Sequence, residues 1–416
     1  MKYEWKDLEG KPFFDREKYW VSPFNFQTEE YRPFQGLSVE IHDCTLRDGE
    51  QTLGVSYSLD ERVRIAEELS ELGVSRIEAG MPIVSESIVK ALKLLMRKNL
   101  PSKIFSFARA HEKDLQLTVD AGVRHVVIEH NVNPYICRNA YELDAGAVQE
   151  RVAKAVRFAK EQGLFVTFMG WDLTRGDDMD FLYGIYRAAV VDGGADGITI
   201  VDTYGVAAPY ACRLLVKKFR DWFPQTLIEF HSHNDFGWGV AGAVEAVAAG
   251  AGCIHTAVNG IGERTGNVAT EQVAIALELG LKVSTGISLD RIKKASRLVS
   301  DITGMRVESN RPVVGDAIFK LETGVAAHIL TKLPKGLNVG SVPFHSSVVG
   351  APPLEVVSGS GSGRASVEFM LDAHQISLPS DQIDEVVERV KNESRIRRRI
   401  LTQEELKDIC AAVKGN

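Results

Sequence analysis

The sequence has few cysteines, and none of them has the spacing of a disulfide framework or a metal site. Its 416 residues include five cysteines, at positions 44, 137, 212, 253 and 410, an odd number without a C-x-x-C pair. This usage is typical of a reducing compartment, and it argues against a disulfide-stapled fold and a cysteine-ligated zinc. The N-terminus also lacks the apolar segment of a signal peptide. We therefore expect a cytoplasmic protein.

Long apolar runs and a surplus of basic residues are also missing. No stretch approaches the roughly 18–20 apolar residues that a membrane helix needs. The net charge of −7 argues against a general nucleic-acid surface. Hydrophobic residues make up 44% and charged residues 25% of the chain, as in ordinary globular proteins with ample core. We expect small-molecule partners, with neither nucleic acid nor membrane among them.

From residue 36 to 285 the sequence alternates short β-rich runs with amphipathic helical patterns. The strand candidates cover residues 39–45, 75–80, 103–109, 125–130, 164–170, 197–202, 227–233 and 253–259. Eight such repeats match the size and order of a (β/α)8 TIM barrel. A doubly wound sheet is the alternative. It usually has fewer repeats and a glycine-rich phosphate turn after its first strand, where this chain has TLRDGEQ.

Two further segments flank the predicted barrel domain. Residues 1–35 are rich in aromatic side chains, unlike a disordered tail, so we expect this arm to pack on the barrel or a partner subunit, with a substrate lid as the alternative. Residues 286–416 predict a linker helix and a smaller, mostly helical C-terminal subdomain. Within it, SGSGSGR (358–364) suits a flexible linker, and a tight turn or an anion-binding loop about equally well.

The ends of the predicted strands carry the chemistry. In TIM barrels the working residues lie at the C-terminal ends of the strands. Here nearly all eight ends are polar, and they present Arg47, Asp48, Glu78, Arg109, Glu129, His130, Asn131, Trp171, Asp172, Asp202, Thr203, His231, His233, Asn234, Asp235 and Asn259, followed by a loop that reaches Asn267. Because these ends converge on one mouth, the sequence predicts an active site there.

The sharpest of these features is His231-Ser-His233. Residues i and i+2 of a strand point to the same face, so both imidazoles project together. Two histidines with a carboxylate and an amide oxygen make a mixed nitrogen and oxygen site, suited to a divalent ion such as Mg²⁺, Mn²⁺, Co²⁺ or Zn²⁺. A lone H-x-H pair is moderate support, whereas HSHND together with RDGEQ after another strand favours a metal site strongly.

The motifs HDCTLRDGEQ, IEAGMP, DTYGVAAP, HSHNDFG and NGIGERTGN resemble those of the DRE-TIM metallolyase superfamily. That group includes isopropylmalate, homocitrate and citramalate synthases and hydroxymethylglutaryl-CoA lyase, and the resemblance covers the whole barrel. It implies a metal site formed by Asp48, His231, His233 and Asn267. It also implies that Arg47 polarises the carbonyl of a 2-oxo acid and that Thr203 helps to hold the substrate carboxylate.

The C-terminal part resembles the corresponding region of the synthase branch. The lyase lacks this region. The segments RPVVGDAIFKLETGVAAHIL and VVSGSGSGR occupy the places where synthases usually read HESGIHVDG and VLGKHSGR. Synthases carry a Glu-Asp pair where this chain has Trp171-Asp172. Their two histidines of the helical segment are Leu321 and Ala326 here, and a tyrosine is Ser341. The resemblance therefore implies that the usual glutamate, histidine and tyrosine of acid/base chemistry are replaced.

The resulting hypothesis is a divalent-metal-dependent acyltransferase that forms a carbon–carbon bond between an acyl-CoA and a 2-oxo acid, with an atypical substrate pair. The alternative is a lyase or aldolase that handles a 2-oxo acid or hydroxy acid without acetyl-CoA. A binding module descended from a synthase is a third reading, against which the intact metal ligands argue. The base stays open between His328, His130 and Glu129. The synthase resemblance also implies a homodimer in which residues 311–345 lie near the partner's mouth.

We assign the predicted roles as follows. The predicted catalytic residues are Arg47, Glu78, Asp172 and His328. The predicted substrate-binding residues are Arg47, Gln51, Arg109, His130, Trp171 and Thr203. An indole cannot relay a proton as a glutamate does, but it offers a large apolar face. Trp171 is therefore expected to shape the pocket of the second substrate, or else to pack against the N-terminal arm.

Overall fold

The computed structural model describes residues 4–27, 29–334 and 337–415. Its contacts divide the chain into two compact units. One unit is Asn25–Val307, and the other joins the described residues up to Phe24 with those from Glu308 onward. Among the described residues, none of the helices combines the length and the apolarity that a membrane crossing requires.

The larger unit is a closed barrel of eight parallel strands. Each strand pairs with the next, and β8 pairs with β1. The strands are β1 (Glu40–Asp43), β2 (Arg76–Glu78), β3 (Lys103–Arg109), β4 (His125–Asn131), β5 (Phe165–Trp171), β6 (Gly197–Asp202), β7 (Leu227–Ser232) and β8 (Cys253–Thr256). The predicted TIM barrel is confirmed. The last strand ends three residues earlier than its apolar pattern predicts, because a 3-10 turn occupies Val258–Gly260.

Helices connect the strands and cover the outside of the barrel. They are α1 (Leu59–Leu72), α2 (Glu86–Lys98), α3 (Glu112–Asp120), α4 (Pro134–Asn139), α5 (Ala145–Glu161), α6 (Met179–Arg187), α7 (Pro209–Trp222), α8 (Gly239–Ala248), α9 (Thr270–Ile275) and α10 (Ile292–Thr303). Local sequence signals set their ends. Ser58 and Glu61 form a capping box at the start of α1, and Gly73 ends it in the left-handed conformation.

The barrel interior contains a buried layer of charged side chains below the mouth. The rings of His42 and His255 stack with centroids 4.2 Å apart. His42 Nε2 lies 3.2 Å from Glu78 Oε2, and His255 Nε2 lies 2.8 Å from Glu229 Oε2. Arg76 donates to Glu229 at 2.7 Å. Burial acts to raise the pKa of Glu229, but His255 and Arg76 lower it to about 2. The floor of the site therefore contains an ionic network beside the apolar cluster of Phe105, Phe107, Val127, Met169 and Val201.

The smaller unit is mostly helical, as predicted. Its helices are α11 (Gly324–Lys332), α12 (Arg364–Ala373), α13 (Ile383–Arg397) and α14 (Gln403–Lys414). Two short strand pairs accompany them, Phe14–Asp15 with Tyr19–Trp20 and Lys320–Leu321 with Glu355–Val356. Its core joins α11 to α14 through buried residues such as Val367, Val386, Val390 and Leu406.

The aromatic N-terminal arm packs in two places. Up to residue 24 it belongs to the smaller unit, where Phe14 shares a buried cluster with Leu337 and Val339. Residues 29–34 form a 3-10 helix on the barrel, and Glu30 there pairs with Arg213 of α7 at 2.6 Å. The arm therefore has a packing role in each unit. Tyr3 lies outside the described residues.

The SGSGSGR segment forms an ordered turn. The N–H of Gly361 donates to Glu322 Oε1 at 2.6 Å, and the N–H of Gly359 donates to Ser362 Oγ at 2.9 Å. Helix α12 then begins at Arg364. Of the two alternatives, the tight turn is the one observed, and a carboxylate of the chain itself occupies one of its N–H groups.

The loop before Asn267 contains a glycine whose substitution tests how tightly the backbone is packed at the mouth of the barrel. Gly266 has a φ of 84°, and an added Cβ would lie 1.8 Å from the carbonyl oxygen of Gly260. Gly266→Ala is therefore expected to destabilise the barrel by more than about 2 kcal/mol. Thermal unfolding followed by circular dichroism should show a melting temperature lower by about 4 °C or more.

Gly280→Ala is the matched control, since nothing lies within 4 Å of a Cβ at that position. This variant is expected to melt within about 1–2 °C of the wild type. Equal melting temperatures for Gly266→Ala and Gly280→Ala would contradict the described loop conformation.

Candidate active site

An arginine whose side chain is 9% exposed lies in the loop that follows the first strand. Arg47 donates through Nη1 to Asp48 Oδ2 at 2.9 Å, and its Nε donates to Glu78 Oε1. Its guanidinium also covers the ring of Phe107, 4.2 Å from the centroid. Burial alone would lower the pKa of Arg47, but Glu78 and Asp48 raise it, so the group is a permanent cation. Its Nη2 is buried and has no hydrogen-bond partner among the described residues.

Asp48, His231 and His233 form a compact group beside this cation. Asp48 Oδ2 lies 3.8 Å from His231 Nε2 and 3.6 Å from His233 Nε2. One ligand atom from each residue lies within 4.8 Å of the others, and all three residues are buried. Burial acts to raise the pKa of Asp48, but Arg47 and the two imidazoles hold it well below its usual range.

The donor set fits a divalent cation. Burial holds the pKa of His231 well below its usual value, so this imidazole is neutral, as a metal ligand must be. Two imidazole nitrogens and one carboxylate oxygen suit Zn²⁺, Co²⁺ or Mn²⁺, and Mg²⁺ with added water. The predicted same-face geometry of the two histidines is what brings them together.

Asn267 lies directly beside this group. Its Nδ2 donates to Asp48 Oδ1 at 3.0 Å and to the carbonyl oxygen of Ile261 at 3.0 Å. An isolated β-bridge pairs its backbone with His233. In this orientation the amide nitrogen faces Asp48, so a ligand role for the amide oxygen stays a prediction.

The group opens into a cavity of about 300 Å³ at the mouth of the barrel. Its lining includes the predicted residues Arg47, Asp48, Gln51, Arg109, Glu129, Trp171, Thr203, His231 and His233. The other lining residues are Met81, Phe107, Tyr141, Met169, Val201 and Glu263. The walls are therefore partly apolar, and the charged groups lie at several strands, with Arg47 and Asp48 after β1, Arg109 on β3 and Glu129 on β4.

Five of the residues with a predicted role do not line this cavity: Asn267, which lies beside Asp48, and four others. Glu78 is buried beneath it and contacts Arg47. His130 turns its Nδ1 to the carbonyl oxygen of Asn131 at 2.7 Å. Asp172 is buried, and His328 lies exposed on α11 of the other unit. Their predicted catalytic and binding roles stay predictions.

Asp172 belongs to a network that braces the rim. Its carboxylate accepts two hydrogen bonds from Arg175, both at 2.7 Å, and one from Asn133 at 3.0 Å. The Arg175 guanidinium stacks on Tyr204, 3.7 Å from the ring centroid. The N–H of Asp172 donates to Thr203 Oγ1 at 2.8 Å. The oxygens of Asp172 are thus occupied, and the residue connects the loops after β4, β5 and β6.

The lining residues that the sequence analysis passed over share one signal. Phe107, Met169 and Val201 lie on the strands themselves, two residues before the predicted site residues Arg109, Trp171 and Thr203. Strand alternation places such residues on the same inward face as the ends. Counting back by two from each polar end would have found them. Tyr141 lies in the loop between α4 and α5, where no periodicity applies.

A parallel barrel with an Asp-His-His group at its mouth defines a metal-site TIM-barrel class, and comparison with known proteins names it. The HMGL-like family model matches residues 38–299. The chain belongs to the HMGL-like family. It is 36% identical to a probable 2-isopropylmalate synthase of Ignicoccus hospitalis, over 90% of this chain and 92% of that one.

Further relatives carry related names. The chain is 33% identical to the homocitrate synthase AksA of Methanothermobacter thermautotrophicus, over 96% of this chain and 99% of the relative. It is 36% identical to a putative (R)-citramalate synthase of Archaeoglobus fulgidus, over 85% and 71%. The crystal structure of the Bacillus subtilis HMG-CoA lyase shares the fold, with a TM-score of 0.58 and 18% identity over 66% of this chain and 96% of that one. The protein is an enzyme of this family.

The Asp48–His231–His233 group leads to a direct prediction of metal content. After dialysis against Mn²⁺ and removal of free ion, the wild type is expected to retain about one ion per chain by mass spectrometry. His233→Ala should retain much less, because it removes one imidazole ligand. His111→Asn, at the exposed N-cap of α3, is the control and should bind as the wild type does. Equal metal content in His233→Ala would contradict the assignment.

Proposed function

We propose that this enzyme forms a carbon–carbon bond between an acyl-CoA and the carbonyl carbon of a 2-oxo acid, with one divalent cation held by Asp48, His231 and His233 and completed by Asn267. The observation that carries the proposal is Arg47. Its buried guanidinium lines the same cavity as the three ligand residues and has an Nη2 without a partner among the described residues.

The chemistry requires negative charge to develop on the carbonyl oxygen of the 2-oxo acid. A bound cation supplies Lewis acidity towards that oxygen. Arg47 adds a fixed positive charge in a buried place, where such a charge acts more strongly than in water. Glu78 holds this guanidinium from below, so that no reorganisation is needed when charge appears. Thr203, on the opposite wall, offers a hydroxyl for the substrate carboxylate.

The acyl-CoA is supported by the relatives. Those compared are named as synthases of isopropylmalate, homocitrate or citramalate, and they match most of this chain. The choice of substrates is a finer proposal. Trp171 and Met169 give the β5 wall an apolar surface, which suits a substrate with an apolar or planar group. We therefore expect a pair other than acetyl-CoA with pyruvate, 2-oxoisovalerate or 2-oxoglutarate.

Thiol release tests the reaction and the substrate choice together. Free CoA is measured with DTNB over a panel of acyl-CoAs and 2-oxo acids, with Mg²⁺ or Mn²⁺ present. Release is expected with larger apolar 2-oxo acids, and little with acetyl-CoA and the three common ones. A kcat of roughly 1–10³ per second with any of those three pairs would contradict the atypical pair. Release of thiol from no pair would contradict the acyltransferase.

Arg47 variants test the charge. Arg47→Met is expected to lower kcat by about 10²–10³-fold, as the loss of one oxyanion-stabilising group does elsewhere. Arg47→Lys keeps the charge without the planar fork and should retain part of the rate. Equal rates for Arg47→Met and the wild type would contradict the role of the Arg47 charge, on which the proposal depends.

The alternative is a lyase or aldolase that works without acetyl-CoA. Trp171 is the observation that favours the lyase or aldolase, since it stands where synthases carry the glutamate of their acid/base chemistry. Incubation with 2-hydroxy acids and with 2-oxo acids alone, followed by mass spectrometry of the products, separates the two. Cleavage products without thiol release would support the alternative.

A homodimer is a separate proposal. Val325 and Ile329 lie one turn apart on α11 with 74% and 43% of their surface exposed, and exposed apolar pairs of this kind favour a contact surface. Light scattering at micromolar concentration is expected to give the mass of two chains. Val325→Glu should shift the mass towards one chain, whereas Leu53→Glu, at an exposed position on the barrel, should not. A stable wild-type monomer would contradict the dimer.

A further inference from the structure

Glu129 is a carboxylate that points into the cavity from the fourth strand. On β4 it pairs in register with Arg109 of β3 and with Met169 of β5. All three residues line the cavity together with Arg47 and His231. Glu129 therefore lies in the cavity wall between Arg109 of β3 and the apolar β5 wall.

Glu129 differs from the two other carboxylates of the cavity lining. Asp48 accepts hydrogen bonds from Arg47 and Asn267. Glu263 lies at the rim, 54% exposed, and pairs with Arg264 at 3.4 Å. The side chain of Glu129 makes neither a hydrogen bond nor an ion pair with any residue of the described ranges 4–27, 29–334 and 337–415. It is thus the lining carboxylate whose oxygens are free to take up a proton.

The surroundings of Glu129 favour a carboxyl group that binds and releases a proton near neutral pH. Arg47, from the loop after β1, and Arg109 of β3 are the charged groups that act on its carboxyl. Tyr141 is near it in the loop after α4, and β5 contributes the uncharged Met169. Burial raises the pKa of Glu129 to about 7, against the lowering effect of the two arginines. Arg109 is itself held by Asp114 in two hydrogen bonds of 2.7 and 3.0 Å, which leaves Glu129 without a tight partner.

We propose that Glu129 is the proton-transfer group of this site and removes the proton from the carbon next to the carbonyl of the substrate that becomes the nucleophile. This inference rests on the proposed function, since carbon–carbon bond formation and its reversal both require a proton at that carbon. A group with this role must be within reach of the cavity, unpaired, and able to hold a proton near working pH. Glu129 meets all three conditions.

The proposed reaction moves one proton and forms one carbon–carbon bond. A C–H bond next to the thioester carbonyl breaks, and its proton passes to an oxygen of Glu129. The electron pair of that bond forms the new bond to carbon 2 of the 2-oxo acid. The π electrons of the 2-oxo carbonyl move to its oxygen, which gains a proton and becomes the hydroxyl of the product. That proton is the one that Glu129 had taken up, so the carboxylate is restored, and water then hydrolyses the thioester to the free acid and CoA.

The other candidates for the base are less well placed. The oxygens of Asp172 are taken by Arg175 and Asn133. His130 does not line the cavity, and its ring lies 6.0 Å from that of Tyr141. His328 is exposed on α11 and is not among the residues that line the cavity. Glu129 is therefore the residue to which the geometry points.

Glu129→Gln tests the proposal, because it keeps the size of the side chain and removes its basicity. With the best pair of the thiol-release panel, kcat is expected to fall at least 10²-fold, with KM within about threefold. Glu129→Asp should keep an intermediate rate. The wild-type rate should fall as pH drops through about 7, because the acting form is the carboxylate. Glu86→Gln, on the exposed side of α2, should behave as the wild type throughout.

Two further readouts do not depend on turnover. In D2O with Mg²⁺, the wild type should exchange the α-protons of acyl-CoAs or 2-oxo acids of the panel, and Glu129→Gln should not. Infrared titration of the loaded protein should show one carboxyl with a midpoint near pH 7 that is absent in Glu129→Gln. If Glu129→Gln fails to fold, Glu129→Asp and the wild-type titration decide.

The outcomes separate this inference from the proposed function. Turnover of Glu129→Gln within threefold of the wild type, absence of exchange in the wild type, or a titration midpoint below pH 5 would each overturn it. Absence of thiol release from every pair, with exchange that Glu129→Gln abolishes, would remove the acyltransferase and leave Glu129 as the proton-transfer group of the alternative reaction.

Discussion

The buried ion pair between Arg47 and Glu78 is the interaction on which the site depends. A guanidinium and a carboxylate taken out of water are costly unless they face each other, and removal of one partner of such a pair typically costs about 3–5 kcal/mol. Burial acts to raise the pKa of Glu78, but Arg47 and His42 lower it to about 2, so the pair is ionised across the working range. The stacked His42 and His255 connect it to Glu229 and Arg76 beneath. A fixed cation at the mouth thus has an ionic floor.

The contacts of the arginines explain why two carboxylates of one cavity, Asp48 and Glu129, have different pKa values. Asp48 lies against Arg47 and two imidazoles, and its pKa is held far down. Glu129 lies between arginines that are engaged by other carboxylates, so its burial dominates and its pKa rises to about 7. Pairs of acids whose surroundings separate their pKa values are the usual means by which one site holds a cation and moves a proton at the same pH. The placement of the arginines decides which carboxylate does which.

The rim has a different design. Asp172 follows Trp171 at the end of β5 and adopts a φ of 63°, and its carboxylate ties Arg175 and Asn133 together. Arg264 likewise joins Asp235 at 2.9 Å to the carbonyl oxygen of Thr203 at 2.5 Å. Charged residues at strand ends therefore serve two purposes in this barrel. Those pointing inward form the site, and those pointing along the rim hold the loops that surround it.

The sequence by itself determined the barrel, its eight strands and the pairing of His231 with His233, because these follow from local periodicity. Strand alternation needs only neighbours along the chain. It also placed Asp48 and Arg47 at the mouth and found most of the charged lining. Only the tertiary structure decided which polar residues are free. Asp172 is occupied by Arg175 and Asn133, while the side chain of Glu129 has no partner within the described part of the chain, although both read as acidic residues near strand ends. Such a distinction depends on contacts between distant strands and loops, which no local pattern encodes.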